Sequence, residues 1–243
     1  SIFLFRLIAN LFIIMRKFLA ELSVKLGLYK RMVQIDTFFR NRKISRAFRK
    51  YGLETLAVAD KAFRSFGGHM VPYFGTLLGA YRDKGFIPFD NDLDVALPVS
   101  ERPDDIEDRM KSFGFNRTRQ IYVKTSGRIV EEQFFRKGVQ IDVFYLFDDG
   151  QDGSFYSYVS RRHESKEWRE ANATDGFPCV TYTTPKCGFE ESDFLGLGLF
   201  FPTLTRQWLE DIYGASFMTP IKDYVPGSEK TTMAKSSERL YRR

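Results

Sequence analysis

The stretch FGTLLGAYRDKGFIPFDNDLDVAL, residues 74–97, gives the clearest indication of the local fold. Residues 76–84 read as a helix with Thr76 near its N-cap, because threonine is favoured at that position. Residues 93–98 are mostly apolar and read as a strand. The segment therefore predicts a short helix, a turn and a strand in succession.

Three aspartates alternate along the start of that strand. Asp90, Asp92 and Asp94 are separated by single residues, so an extended backbone places their carboxylates on one face of the sheet. Carboxylates at this spacing repel one another unless a cation lies between them, and Mg²⁺ or Mn²⁺ prefers such oxygen ligands. Asp142 interrupts a later apolar strand, and we expect it to face the same metal or an arginine. The alternative is a solvated acidic turn.

The residues before and within the predicted helix suit a phosphate. Gly75 and Thr76 stand at the helix start, where free backbone N–H groups favour an anion. Arg82 is placed to add a charge-assisted contact to the same phosphate. Each feature alone is common, since Gly-Thr often precedes a helix and Arg82 reads equally as a surface charge. Their combination with the aspartates favours a site for a phosphorylated ligand and a metal ion.

Elsewhere helices alternate with short strands, without the regular spacing of repeated βαβ units. Predicted helices cover residues 33–66 (with a break at Gly52), 103–113, 155–172 and 204–213, and predicted strands cover residues 69–74, 128–136 and 139–146. Lys137-Gly138 would join the last two strands in a hairpin. The pattern predicts an α+β fold with a mixed β-sheet flanked by helices.

The positive charge is concentrated at the N-terminus. Residues 1–50 carry 12 of the 37 Lys and Arg residues and two of the 31 acidic residues, a net charge of +10, whereas the remainder carries −4. A net charge of +6 can indicate a nucleic-acid-binding protein. Because the basic residues lie in one apolar arm, a membrane surface is the better partner, and we expect no nucleic acid.

The arm is too interrupted by charge for a clean membrane span. Its longest charge-free run is residues 7–15, whereas a spanning helix needs about 20 apolar residues. We therefore expect residues 2–32 to form an amphipathic helix in the bilayer interface. The alternatives are a single-pass anchor, a signal peptide, which fits poorly, and a helix that packs on protein.

Residues 74–97, together with Asp142 and the later string WLEDIYGASFMTP, residues 208–220, closely resemble the LicD family, which includes the fukutin-type proteins. These belong to the polymerase-β-like nucleotidyltransferase superfamily. The resemblance implies a nucleotidyltransferase-like fold for residues 51–226, flanked by the basic arm 1–50 and a polar, basic tail 227–243. Thr76 stands where the superfamily more often has serine.

The resemblance implies a phosphotransferase that moves a phospho-alcohol from CDP-choline, CDP-glycerol or CDP-ribitol to a glycan or glycolipid hydroxyl and releases CMP. Such acceptors occur in lipopolysaccharide, capsule and teichoic acid, so we expect a peripheral enzyme at the cytoplasmic face of the membrane. The alternatives are a nucleotidyltransferase that releases pyrophosphate and a non-catalytic membrane-associated relative.

The resemblance also assigns roles to the residues. Mg²⁺ or Mn²⁺ would bind Asp92 and Asp94, with Asp90 as a further ligand. Asp142 would be a third ligand or the base. Donor phosphates would contact four residues: Gly75, Thr76, Arg82 and Lys84. Cys179 and Cys187 are too few for a confident zinc site, and we expect free thiols.

Overall fold

The computed structural model describes residues 29–148, 153–160, 176–221 and 233–242. Contacts divide the chain into two compact units, Ser1–Arg46 and Ala47–Arg243. The described helices are α1 (Tyr29–Arg64), α2 (Phe74–Leu78), α3 (Ile106–Ser112) and α4 (Thr205–Tyr213). The described strands are β1 (Val71–Pro72), β2 (Asp92–Pro98), β3 (Asn116–Val123), β4 (Ile129–Arg136), β5 (Val139–Asp148), β6 (Ser154–Ser160), β7 (Phe177–Pro185), β8 (Phe189–Phe194), β9 (Leu197–Pro202) and β10 (Ala234–Arg242).

One large mixed sheet organises the second unit. Its strand order is β1-β2-β5-β4-β3-β10-β7-β6, and a further pairing between β5 and β6 closes part of the sheet on itself. Strands β2 and β5 run parallel, whereas the other described pairs in this sheet are antiparallel. Strands β8 and β9 form a separate hairpin. The α+β prediction with a mixed sheet flanked by helices is confirmed at this level.

Two apolar clusters cover the two faces of the sheet. On one face, Leu56 and Phe63 of α1 pack in the same cluster as Leu93 and Ile141. On the other face, α2 and α4 contribute a second cluster that includes Trp208. Apolar residues that alternate along β2 and β5 are therefore divided between two cores, as the two-residue period of a strand requires. The helices hold the sheet from both sides.

Several predicted boundaries are wrong. Gly52 does not break α1, which is continuous from Tyr29 to Arg64, and a Cβ at Gly52 would lie 3.5 Å from the Phe48 ring, an ordinary packing distance. The predicted helix 76–84 begins at Phe74 and ends as α2 at Leu78, and a π-helical turn continues it to Asp83. Tyr73, rather than Thr76, is the N-cap residue.

The predicted helix 155–172 is also wrong where the structure describes it, since residues 154–160 form β6 between β5 and β7. Aromatic residues such as Tyr156 and Tyr158 suit a pleated surface, and tertiary pairing outweighed their apparent helical spacing. Residues 161–172, with the basic residues Arg161, Arg162 and Lys166, lie outside the described residues. Within the predicted tail, Ala234–Arg242 forms β10, which inserts between β3 and β7 and buries Leu240.

The predicted hairpin at Lys137-Gly138 is confirmed. Both turn residues have positive φ, +50° and +83°, as a two-residue type I′ turn requires. The turn sets the pairing of β4 with β5 from Arg136 opposite Val139 onward. The same register places Gln133 opposite Asp142.

No helix in the described ranges is both long and apolar enough to cross a membrane. The arm helix predicted for residues 2–32 falls almost entirely on residues 1–28, which lie outside the described residues. Cys179 and Cys187 are free thiols, as predicted, and Cys179 is buried with its Sγ 3.2 Å from the Glu238 carbonyl oxygen.

A fully buried carboxylate, Glu132, ties β3, β4 and β5 together. It accepts hydrogen bonds from Arg102 Nε at 3.0 Å and Arg117 Nη1 at 2.8 Å. It also accepts hydrogen bonds from Gln120 Nε2 at 2.8 Å and the Tyr145 hydroxyl at 2.5 Å. Burial opposes ionisation, but the hydrogen bonds from Arg102 and Tyr145 outweigh it and hold the pKa of Glu132 below its ordinary value.

We predict that Glu132→Ala lowers the free energy of unfolding by about 3–5 kcal/mol, because it leaves two partly buried arginines without this partner. Urea unfolding of the purified protein measures the change. Glu190→Ala, at an exposed position on β8, is the matched control and should stay within about 0.5 kcal/mol of the parent. Equal losses in the two variants would contradict a structural role for Glu132.

Candidate active site

The parallel pairing of β2 with β5 brings the predicted carboxylates together. Asp94 lies directly opposite Asp142, and Asp92 lies opposite Gln140. The residues between them on both strands, including Leu93 and Ile141, are fully buried in the α1 core. The carboxylates of Asp92, Asp94 and Asp142 therefore share the opposite face, as alternation along β2 predicts.

Asp90 precedes β2 and lies in a turn, where its backbone N–H donates to the Ile87 carbonyl oxygen at 3.0 Å. Gly75, at the start of α2, brings this turn and the strand together. A Cβ at Gly75 would lie 3.2 Å from Asp90 Oδ2 and 3.4 Å from Asp94 Oδ2. The absent side chain thus allows two carboxylates to approach the backbone closely.

Two hydrogen bonds fix the start of α2 against β2. The Gly75 N–H donates to Asp94 Oδ2 at 3.3 Å, and the Asp94 N–H donates to Thr76 Oγ1 at 2.9 Å. Thr76 is buried, with 2% of its surface exposed. Gly75 and Thr76, two of the four residues predicted to bind donor phosphate, therefore contact Asp94 in this structure.

Phe74 holds this junction in an uncommon backbone conformation. Its φ of +36° is rare for a bulky residue and is maintained only where the surroundings over-determine it. The Phe74 ring packs edge-on against Phe144 at 4.9 Å and Tyr182 at 5.4 Å, and lies 4.1 Å from Tyr73. Aromatic packing thus fixes the backbone that carries Gly75 to the carboxylates.

The carboxylates perturb one another. Burial, followed by repulsion from Asp92, raises the pKa of Asp90 to about 7. Burial also raises the pKa of Asp94 well above its ordinary value. Repulsion from Asp92, Asp142 and Asp90 adds to the rise for Asp94. The cluster therefore carries negative charge that its surroundings do not fully compensate.

The two predicted cationic residues are placed differently. Arg82 donates from Nε and Nη2 to the carboxylate of Asp83 at 2.9 and 2.8 Å, and its charge partly offsets the raised pKa of Asp90. Lys84 has a left-handed backbone, and its Nζ lies 5.5 Å from the centre of the Tyr81 ring. The structure thus pairs Arg82 with Asp83, near enough to Asp90 to lower its pKa, and places the Lys84 ammonium beside an aromatic ring.

Asp142 has polar neighbours that the sequence interpretation missed. Its Oδ1 accepts a hydrogen bond from Gln133 Nε2 at 2.9 Å, and its Oδ2 accepts one from Gln140 Nε2 at 2.8 Å. Arg119 Nη2 also forms an ion pair with Oδ1 at 3.6 Å, and an arginine partner was one of the two alternatives that the sequence analysis gave for Asp142. The hairpin turn at Lys137-Gly138 contained the signal for Gln133, because its register pairs Gln133 with Asp142.

The donor set fits a hard divalent cation. Within the described ranges, no three His, Cys, Asp or Glu side chains are grouped as a ready metal-binding cage. Mg²⁺ usually takes one or two protein carboxylates and completes its coordination with water and substrate phosphate. Asp92 and Asp94 suit such an open site, and the repulsion that raises the pKa of Asp94 is what a cation would relieve.

Comparisons with known proteins show which family this part of the chain is similar to. Residues 67–185 match the family model described as LicD/FKTN/FKRP, nucleotidyltransferase domain. The chain is 23% identical over 180 residues to the ribitol-5-phosphate transferase FKTN of Mus musculus, covering 73% of this chain and 35% of that protein. The Homo sapiens protein of the same name is 23% identical over 181 residues, with the same coverage.

The chain therefore spans about a third of the length of these curated relatives. The matched residues include Gly75, the aspartates of β2 and Asp142. The family match over residues 67–185 and the similarity to fukutin together confirm the resemblance of this chain to the LicD/fukutin-type family.

Proposed function

We propose that this chain is a Mg²⁺-dependent transferase that moves a phospho-alcohol from a CDP-linked donor to a glycan or glycolipid hydroxyl and releases CMP. The observation that carries the proposal is the row of Asp92, Asp94 and Asp142 on one face of the parallel pair β2–β5, beside the bare backbone of Gly75. The family match supports the class of reaction. The nucleotidyltransferase fold and the domain limits 51–226 belong to the same proposal.

The reaction exchanges one phosphorus–oxygen bond for another. The acceptor hydroxyl oxygen bonds to the phosphorus that carries the alcohol, and the bond from that phosphorus to CMP breaks, with its electron pair leaving on CMP. A cation held by Asp92 and Asp94 would supply charge neutralisation at the diphosphate. The hydroxyl proton passes to solvent or to a base.

The protein supplies orientation around that exchange. Because Gly75 has no side chain, a phosphate can approach the start of α2. In this proposal the Arg82 guanidinium leaves the Asp83 carboxylate and binds a donor phosphate at the cluster. Thr76 keeps α2 attached to β2 through the Asp94 N–H. In this proposal the Lys84 ammonium moves away from the Tyr81 ring and contacts a donor phosphate.

The proposal also names the alcohol that is transferred and the cellular location of the enzyme. The relatives are named ribitol-5-phosphate transferases, so phosphoribitol is the first candidate, ahead of phosphoglycerol and phosphocholine. Residues 1–50, which carry a net charge of +10, would hold the enzyme at the cytoplasmic face of a membrane near its acceptor.

A product assay tests this function. The purified chain is incubated with Mg²⁺, a membrane glycolipid extract and, in separate reactions, CDP-ribitol, CDP-glycerol, CDP-choline or CTP. We expect acceptor-dependent CMP release from one CDP-alcohol, lost on addition of EDTA. Pyrophosphate release from CTP alone would replace the proposal with a nucleotidyltransferase.

We predict that Asp94→Asn lowers turnover by at least about 100- to 1,000-fold, since it removes one charge that stabilises the reacting complex. The same variant should melt at or above the parent temperature in EDTA. The raised pKa of Asp94 means that its ionised form opposes folding near neutral pH, and asparagine removes that cost.

Asp108→Asn, at an exposed position on α3, is the matched control and should change neither property. Thermal unfolding and CMP release are measured on the same preparations. Parent-like turnover in Asp94→Asn would overturn the assignment of Asp94 to the metal.

We predict that cation affinity rises with pH across the neutral range. Because the pKa of Asp90 is raised to about 7, a proton must leave before a cation binds at lower pH. The affinity should fall by up to about tenfold for each pH unit below 7. Calorimetric titration with Mg²⁺ between about pH 6 and 8 measures this, and Asp90→Asn should reduce the slope. Equal Mg²⁺ affinities at the lowest and the highest pH of this range would contradict the prediction.

A further inference from the structure

We propose that Gln133 and Gln140 are positioning residues that hold the carboxylate of Asp142 as the third metal ligand. This inference rests on the proposed function, because it concerns the same cation site. The two glutamines act through Asp142 and do not themselves contact substrate.

The geometry is specific to the two oxygens of Asp142. Gln133 Nε2 donates to Oδ1 at 2.9 Å from the antiparallel neighbour β4, and Gln140 Nε2 donates to Oδ2 at 2.8 Å from two residues earlier on β5. Asp142 is 5% exposed, so its carboxylate is fixed by protein rather than by bulk water. Each oxygen thus receives one amide donor, and a carboxylate has about four acceptor positions.

The orientation of the Gln133 amide is itself held from the next strand. The Thr118 hydroxyl on β3 donates to Gln133 Oε1 at 2.9 Å. An ionised carboxylate accepts hydrogen bonds but donates none, so the amide nitrogen of Gln133 must face Asp142. Thr118, Gln133, Asp142 and Asp94 therefore form a polar row across β3, β4, β5 and β2.

The charge of these partners suits a metal ligand. Amide donors fix a carboxylate without neutralising it, whereas a bidentate arginine would satisfy it as an ion pair. Arg119 donates from Nη2 to Glu131 Oε1 at 2.5 Å and forms a longer ion pair with Asp142 Oδ1 at 3.6 Å, so this arginine is shared between two carboxylates. Repulsion from Asp142 still contributes to the raised pKa of Asp94 across the strand pair. Its remaining acceptor positions serve a cation shared with Asp94.

A purely structural role makes a different prediction. If the glutamines served to satisfy a buried carboxylate, removing one would lower the melting temperature and leave cation affinity unchanged. A positioning role changes cation affinity and turnover while the Michaelis constant for the donor stays close to the parent value.

The test uses Gln133→Met and Gln140→Met in the full chain, since methionine keeps the length of the side chain and removes the amide. Mn²⁺ affinity is measured by electron paramagnetic resonance titration, without substrate, and CMP release is measured separately. We expect each variant to lose about 10- to 100-fold in Mn²⁺ affinity and in kcat. Unchanged Mn²⁺ affinity in both variants would overturn the inference.

Thr118 and Gln207 supply the controls. Thr118→Val should weaken Mn²⁺ binding by about two- to tenfold, the effect of one hydrogen bond, and Thr118→Ser should restore it. Both substitutions should leave the fold intact, because Thr118 is exposed. Gln207→Met removes a similar glutamine–aspartate pair, to Asp211 at 3.0 Å, on the exposed side of α4 and should leave affinity at the parent value.

The outcomes separate this inference from the proposed function. Mn²⁺ binding that depends on Gln133, without CMP release from any CDP-alcohol, retains the positioning role and rejects the transferase. CMP release by the parent, with parent-like Mn²⁺ affinity and kcat in both methionine variants, retains the transferase and rejects the positioning role. If Thr118→Val lowers Mn²⁺ affinity and Thr118→Ser does not restore it, the positioning role is also contradicted.

Discussion

Repulsion between carboxylates on two adjacent parallel strands is the constraint around which this site is built. The register of β2 and β5 places Asp94 directly opposite Asp142, and neither strand can shift by one residue without moving its apolar residues out of the α1 core. The surrounding structure accommodates the carboxylates in two ways: Gly75 has no side chain to contact them, and Phe74 is held at positive φ. Stability alone does not favour these features, and the cation in the proposed function would relieve the repulsion between the carboxylates.

Two buried carboxylates on opposite faces of the sheet have different partners. Glu132, on the α1 side, is surrounded by two arginines, an amide and a hydroxyl, and its pKa is lowered. Asp142, on the other face, accepts hydrogen bonds from two neutral amides, shares Arg119 with Glu131, and adds by repulsion to the raised pKa of Asp94. The charge of Glu132 is therefore more fully compensated by its neighbours than that of Asp142.

Sequence patterns predicted the features of the fold that depend on residues close together in the chain. Alternation along residues 92–98 gave the shared face of the aspartates, and Lys137-Gly138 gave the hairpin. Residues 154–160 became a strand because β5 and β7 pair with them, and β10 joined the sheet for the same reason. Such long-range pairing leaves little trace in the sequence.

The residues of the candidate site were likewise predictable only in part. The carboxylates were visible as charges in apolar surroundings, whereas Gln133 and Gln140 are unremarkable until strand register places them on Asp142. Thr76 was predicted to lie near the N-cap of a helix, but it is the third residue of α2, and its hydroxyl accepts a hydrogen bond from the Asp94 N–H. Residue type indicates chemistry, and register decides which atoms meet.

The proposed function depends on a cation bound at this carboxylate cluster. Crystals of the protein grown with Mn²⁺ and a non-hydrolysable CDP-alcohol analogue, measured near the manganese absorption edge, test for that cation directly. We expect an anomalous peak about 2–2.3 Å from carboxylate oxygens of Asp92 and Asp94. A donor analogue bound at the cluster without any such peak, or with manganese held elsewhere, would contradict it.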